Sequence, residues 1–175
     1  MNDPNGAPDD QLVTLPLFPL NVVLFPGMAL PLHIFEERYK AMIGDCIEHE
    51  QPFGVVLIRE GQEVGEPAEP FKVGTSARIL RQERLAEGRM NILSRGEQRF
   101  ETAEITQRLP HMVGRIKYVQ EVAGEIAPEI IAEAEDAYST FLRNLSAMAG
   151  GWTSQVEVPQ DSVPLSYGIA STLDL

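Results

Sequence analysis

TLPLFPLNVVLFPGMALPLHIFEERYKAMIGDCI, residues 14–47, is the stretch that decides the fold of this chain. Four prolines (Pro16, Pro19, Pro26, Pro31) thread an apolar run, and one amphipathic segment follows. Proline has no amide proton to give to a ladder, so a central strand is not expected to carry several of them. The side chains between them, among them Leu15, Leu17, Leu20 and Leu24, still require burial. The pattern predicts short extended pieces, Leu12–Leu17, Val22–Phe25 and Met28–Ile34, joined by bends at the edge or rim of a sheet. Pro26-Gly27 is the sharpest bend, with proline preset for the first turn position and glycine free to take φ > 0. From Phe35 the period becomes helical, with Phe35, Tyr39, Met42, Ile43, Cys46 and Ile47 on one face.

Beyond this stretch, FGVVLIRE (Phe53 to Glu60) is short, apolar and rich in β-branched residues, as a buried strand would be. Glu60 to Gly74 is punctuated by glycine, proline and glutamate and reads as a long exposed loop. From Thr75 the residues alternate: Ala77, Ile79, Arg81 and Glu83 point one way, Arg78, Leu80, Gln82 and Arg84 the other. A turn at Ala86-Glu87-Gly88 joins this strand to RMNILSRG as a hairpin. Gln98–Gln107 and Met112–Glu121 make further strands, separated at Leu109-Pro110. Six to eight short strands with non-local closure predict a compact, partly closed barrel.

At Pro128 the period switches to helix. Ile130, Ile131, Ala134, Tyr138, Phe141, Leu145 and Met148 trace an apolar stripe, Pro128 suits the first turn, and Gly150-Gly151 supplies a stop. A second helix is predicted from Ser162-Val163-Pro164, carrying Leu165, Ile169 and Leu173. With no stop signal before Leu175, the sequence is expected to end inside a helix.

The 175 residues carry a net charge of −12, unevenly spread. Residues 1–60 hold three basic and nine acidic side chains, residues 61–120 ten and eight, and residues 121–175 one and nine. Both flanks repel polyanions, which argues against a nucleic-acid partner. No run approaches the length of a membrane span, and the acidic N-terminus is unlike a secretory signal. A single cysteine, Cys46, on the apolar face of the first helix, forms no intrachain disulfide and reads as a small core residue. A cytoplasmic setting is expected.

Two blocks of sequence carry a resemblance. LPLFPL (Leu15 to Leu20), VVLFPG (Val22 to Gly27) and LPLHIFEERY (Leu30 to Tyr39) make the first; VGTSARI (Val73 to Ile79) and RMNILSRGEQRF (Arg89 to Phe100) make the second. In order and spacing they resemble the Lon N-terminal domain, the substrate-binding module that precedes the ATPase of Lon proteases. The resemblance spans about residues 12–175 and implies a standalone member lacking the ATPase and peptidase domains. It implies an α+β fold: a mainly antiparallel, short-stranded pseudo-barrel of the PUA-like group, with one early helix and a C-terminal helical part. The expected division is a disordered tail at 1–11, a β-rich domain at 12–121, and a helical part at 122–175 packed on it.

No catalytic, cofactor-binding or metal-binding residues are expected. There is no G-x-x-x-x-G-K-[ST] phosphate loop, and Ser76 and Ser94 lie in the hairpin without a nucleophile elbow. His33, His49 and His111 lack metal-ligand spacing. Glu36-Glu37, adjacent on a helix, diverge and read as first-turn glutamates favoured by the dipole. The arginines at 78, 81, 84, 89, 95 and 99 read as a solvated sheet face, paired with Glu83, Glu87, Glu97 and Glu101.

The remaining candidates are apolar residues in bends: Phe18, Phe25, Pro26, Met28 and Trp152. Exposed together they would mark a protein-binding surface. The expected role is a non-catalytic module that binds protein or unfolded polypeptide segments through an apolar groove rimmed by charge, with proline-marked edge strands open to peptide addition. The alternative is a small-molecule or modified-peptide binding domain of the same fold. RNA binding by analogy to PUA-like folds is opposed by the charge balance.

Overall fold

The computed structural model describes residues 11–65, 68–148 and 158–173. Strands β1 (Val13–Leu20) and β2 (Ala29–Ile34) lead into helix α1 (Glu37–Glu48). Strands β3 (Phe53–Glu60), β4 (Glu69–Arg84), β5 (Met90–Gln107) and β6 (Met112–Tyr118) follow, then helices α2 (Pro128–Met148) and α3 (Ser162–Thr172). The sheet runs β2-β5-β4-β3-β1-β6, and β5 pairs a second time with β6. That pairing closes five strands into a barrel. β5 is long enough to serve both neighbours: Met90–Arg95 pairs with β2, and Phe100–Gln107 with β6. Among the described residues only β1 and β3 run parallel. The fold is therefore α+β around a mainly antiparallel pseudo-barrel, as expected, although β4 and β5, at 16 and 18 residues, are not short.

The prolines of β1 do not mark an edge. β1 pairs with β6 over Val13–Leu17 and with β3 over Leu17–Leu20, changing partner at Leu17. Pro16 thus has a neighbour only on the β6 side and Pro19 only on the β3 side. Residues three apart in a strand turn their nitrogens to opposite flanks, so both missing donors can fall where no partner sits. The edge strand of the sheet is β2. Val22–Phe25 is not a strand but an irregular segment, held by the buried Thr75 hydroxyl, which donates to the Leu24 carbonyl at 2.6 Å.

Two apolar clusters lie on opposite faces of the central strands. Phe18, Phe53, Val55 and Ala77 pack under α1, against Tyr39, Met42, Ile43 and Cys46. Leu15, Leu17, Val56, Phe100, Met112 and Ile116 fill the barrel. Successive residues such as Leu17 and Phe18, or Val55 and Val56, serve different clusters, which is why β1 and β3 are apolar on both faces. The helical stripe is as predicted from Tyr39 to Cys46, but Phe35 precedes α1 and is 49% exposed.

The loop read from Glu60 to Gly74 ends early, because β4 already pairs with β3 from Glu69. β5 continues through Gly96 as one strand, where a break was expected, and β6 stops at Tyr118. The hairpin turn falls at Ala86–Gly88 as read.

The chain divides into two compact units, Met1–Gln120 and Glu121–Leu175. In the second, α2 starts at Pro128, and the Tyr138 hydroxyl donates to the Gly168 carbonyl of α3 at 2.7 Å. None of the α2 stripe is fully buried; Phe141 and Leu145 stay about half exposed. α3 ends at Thr172, where Leu173 turns extended, so the helix does not run on as the missing stop signal suggested. The tail expected at 1–11 (apart from Gln11), the Gly150-Gly151 stop and Trp152 lie outside the described residues.

Candidate functional site

The site arises from unequal strand lengths. β3 begins at Phe53, opposite Ala77, whereas β4 continues to Arg84 beside β5. Over Arg78–Arg84, β4 therefore has β5 on one flank and, among the described residues, no strand on the other. The register shifts between Ile79 and Arg81, which makes Leu80 a bulged residue and leaves it 51% exposed. Bulges re-aim side chains and bend an edge.

The end of α1 faces this open flank. Cys46, Ile47, Glu50 and Gln51 on one side, and Arg78–Gln82 on the other, enclose a groove of about 330 Å³. Its floor is apolar: Ile47 and Ile79 pack on the core beneath, and the half-exposed Leu80 lines it beside them. Two ties hold the hairpin arm against the helix. The Lys40 ammonium donates to the Glu87 carbonyl at 2.7 Å near the tip. Arg78 Nη1 reaches the Glu50 carbonyl at 3.4 Å near the base. Glu50 sits at φ 53, a left-handed turn that ends the α1 connection and directs the chain into β3.

The arm from Arg78 to Arg95 carries five arginines and two glutamates. Arg78 is held by Glu97 at 2.5 Å, while Glu83 accepts from Asn91 rather than from an arginine. Arg81 and Arg84, both exposed, make no ion pair or hydrogen bond among the described residues. Only part of the expected pairing between the arginines and glutamates therefore forms, and the outer arm is cationic in a chain of net charge −12. Burial pushes the Cys46 thiol up to about 11, with Asp45 adding to the shift. It stays protonated at neutral pH and acts as an apolar part of the groove.

The residues singled out by sequence separate. Phe18 is buried in β1, its ring stacked on Tyr39 with centroids 4.0 Å apart, so it is core and not a bend residue. Phe25, Pro26 and Met28 are half-buried around the turn, and Met28 packs on the core cluster. Sequence reading missed the groove. The one legible signal was the arginine density of the hairpin.

The polar candidates are dispersed. Ser94 is fully buried, with its hydroxyl unpartnered among the described residues. Ser76 bonds the Gln98 carbonyl at 3.2 Å. His33 bonds Asn91 at 2.8 Å, His49 the Asp45 carbonyl at 2.9 Å, and burial lowers the pKa of His111. Glu36 pairs with Arg38 at 2.9 Å and Glu37 with Lys40 at 2.7 Å, so the two carboxylates serve different partners. No group of three metal-ligating side chains occurs among the described residues. No helix among them is long and apolar enough to cross a membrane.

Comparison with known proteins bears on this arrangement. The family model for the ATP-dependent protease La (Lon) substrate-binding domain matches residues 14–175. The Lon protease of Anaeromyxobacter dehalogenans is 33% identical over 128 residues, covering 71% of this chain but 15% of that protein. The Lon protease of Flavobacterium johnsoniae is 36% identical over 111 residues, covering 62% and 14%. The chain thus spans about a seventh of these relatives. A Lon N-terminal domain protein from Xanthomonas campestris superposes with a TM-score of 0.68 at 27% identity, covering 93% of this chain and 84% of that one. The N-terminal domain of Mycobacterium avium complex Lon protease shares the fold, with a TM-score of 0.57 at 18% identity over 79% of this chain and 70% of the other. By its sequence over nearly its full length, this chain belongs to the family of Lon substrate-binding domains.

Proposed function

We propose that this chain is a non-catalytic, cytoplasmic recognition module that binds segments of other polypeptides. Family membership supports protein substrates as the ligand class. What supports the groove beside the open flank of β4 as the binding place is its apolar floor, which adjoins backbone that no strand meets among the described residues. Extended peptides bind such edges by main-chain hydrogen bonds, and adjoining pockets take alternate side chains. Ser94, sealed in the core with its hydroxyl unpartnered among the described residues, fits no hydrolytic role.

The test is a binding titration of the purified chain with a carboxymethylated, permanently unfolded protein, followed by anisotropy. Saturable binding to the unfolded form and none to its native form is expected. Equal binding to both, or to neither, overturns the reading. Incubation with casein and ATP is expected to yield neither peptides nor phosphate; turnover abolished by Ser94→Ala would make the chain an enzyme.

A further inference from the structure

Resting on that reading, we infer that the groove takes an acidic, extended segment bearing a large apolar side chain, laid as an added strand along Arg81–Arg84. The backbone gives the mode. Alternate residues of this flank turn N–H and C=O outward, and among the described residues no strand meets them. The bulge at Leu80 interrupts the ladder next to the groove, so the added strand is expected to begin beyond it, at Arg81. Its apolar side chain enters at Leu80 and rests on Ile47 and Ile79.

Charge gives the chemical class. Arg81 and Arg84 flank the open edge without carboxylate partners, whereas Arg78 at its base is held by Glu97 and hydrogen-bonds the Glu50 backbone. Unmatched arginines on an edge repel strongly basic strands. The same charges attract aspartate and glutamate, so one device excludes wrong strands and selects the right one. Glu50 lines the α1 end of the groove, where its charge acts on Arg78. It orients the ligand with its apolar residue towards Glu50 and its acidic residues towards Arg84. Nucleic acid is also anionic, but it would meet an apolar floor on a chain of net charge −12.

The experiment compares short labelled peptides on the 175-residue chain by anisotropy at low salt. One has a leucine followed by glutamates, one has lysines in their place, and one repeats the acidic sequence with alternate amides methylated. The acidic peptide is expected to bind at least about tenfold tighter than the basic one, since two exposed ion pairs contribute a few-fold each. Affinity should fall with added salt, and the methylated peptide should lose most binding. Arg81→Glu with Arg84→Glu is expected to reverse the preference, and Arg81→Gln with Arg84→Gln to abolish it. Both pairs of substitutions lie on exposed residues, with folding checked by circular dichroism. If the peptides bind without charge preference and the variants bind unchanged, this inference fails while peptide recognition stands. If no peptide binds and the unfolded protein does not either, both fail. A single-stranded RNA oligonucleotide that binds tighter than the acidic peptide and displaces it would assign the arginines to nucleic acid and overturn the inference.

Discussion

The amide of Gly27 donates to the carbonyl of Gly96 at 2.8 Å, and the Gly96 amide returns a bond to Met28 at 2.9 Å, fastening the first sharp turn of the chain to the middle of β5. The turn is closed by Met28 N–H to the Phe25 carbonyl at 3.0 Å, with Gly27 at φ +84. The two glycines are needed for different reasons. A Cβ on Gly27 would meet open space, so substitution there is resisted by backbone conformation alone. A Cβ on Gly96 would collide with the Phe25 carbonyl.

Gly27→Val is therefore expected to cost about 1–3 kcal/mol through backbone strain, and Gly27→Asn much less, because asparagine tolerates the left-handed region. At Gly96 even alanine should cost about 1–3 kcal/mol, by forcing the turn off β5, and asparagine no less. Urea midpoints of the four variants check this. A Gly27→Asn as damaging as Gly96→Asn would show that space, not φ, limits the turn.

Phe18 is 7% exposed and stacked on Tyr39, so Phe18→Ala should destabilise by about 3–5 kcal/mol, the range for a buried phenylalanine. Denaturant unfolding measures it. A loss below about 1 kcal/mol would return Phe18 to the surface that its neighbouring prolines first suggested.

Thr75 holds the irregular segment through its bond to the Leu24 carbonyl, both residues being buried. Thr75→Val keeps the shape and removes the donor, leaving that carbonyl without its side-chain partner at a cost of about 1–3 kcal/mol. Thr75→Ser should retain most of the stability. If valine and threonine melt together, the bond holds nothing.

Cys46 links stability to alkaline pH. Its thiol is raised from an ordinary 9.0 to about 11 in the folded chain, first by burial and then by Asp45. Between those values the unfolded chain has lost a proton that the folded chain keeps, so the contribution is whole below pH 9 and declines as pH rises towards 11. Cys46→Ala should flatten that part of the decline, apart from a pH-independent loss from the cavity. Unfolding titrations of both proteins across this range decide it, and parallel curves would mean that the thiol ionises normally. At neutral pH, alkylation of Cys46 should be slow until the protein is unfolded.

Local physics made much of this protein legible from sequence. Pro26-Gly27 named its turn because one residue fixes φ and the other permits a positive one. The 3.6-residue period marked Tyr39 to Cys46 as a buried face, and the break at Ala86-Glu87-Gly88 named the hairpin. What the sequence could not settle were relations between distant segments. Pro16 and Pro19 imply missing donors, but only the change of partner at Leu17 lets them lie inside a barrel. Phe35 continues the apolar period yet stands outside the helix, because α1 begins two residues later. The groove exists because β4 outruns β3, and each strand taken alone carries no record of where its neighbour stops. Periodicity and turn chemistry are properties of adjacent residues; an open strand edge is a property of pairing across the sheet, and only the folded chain decides it.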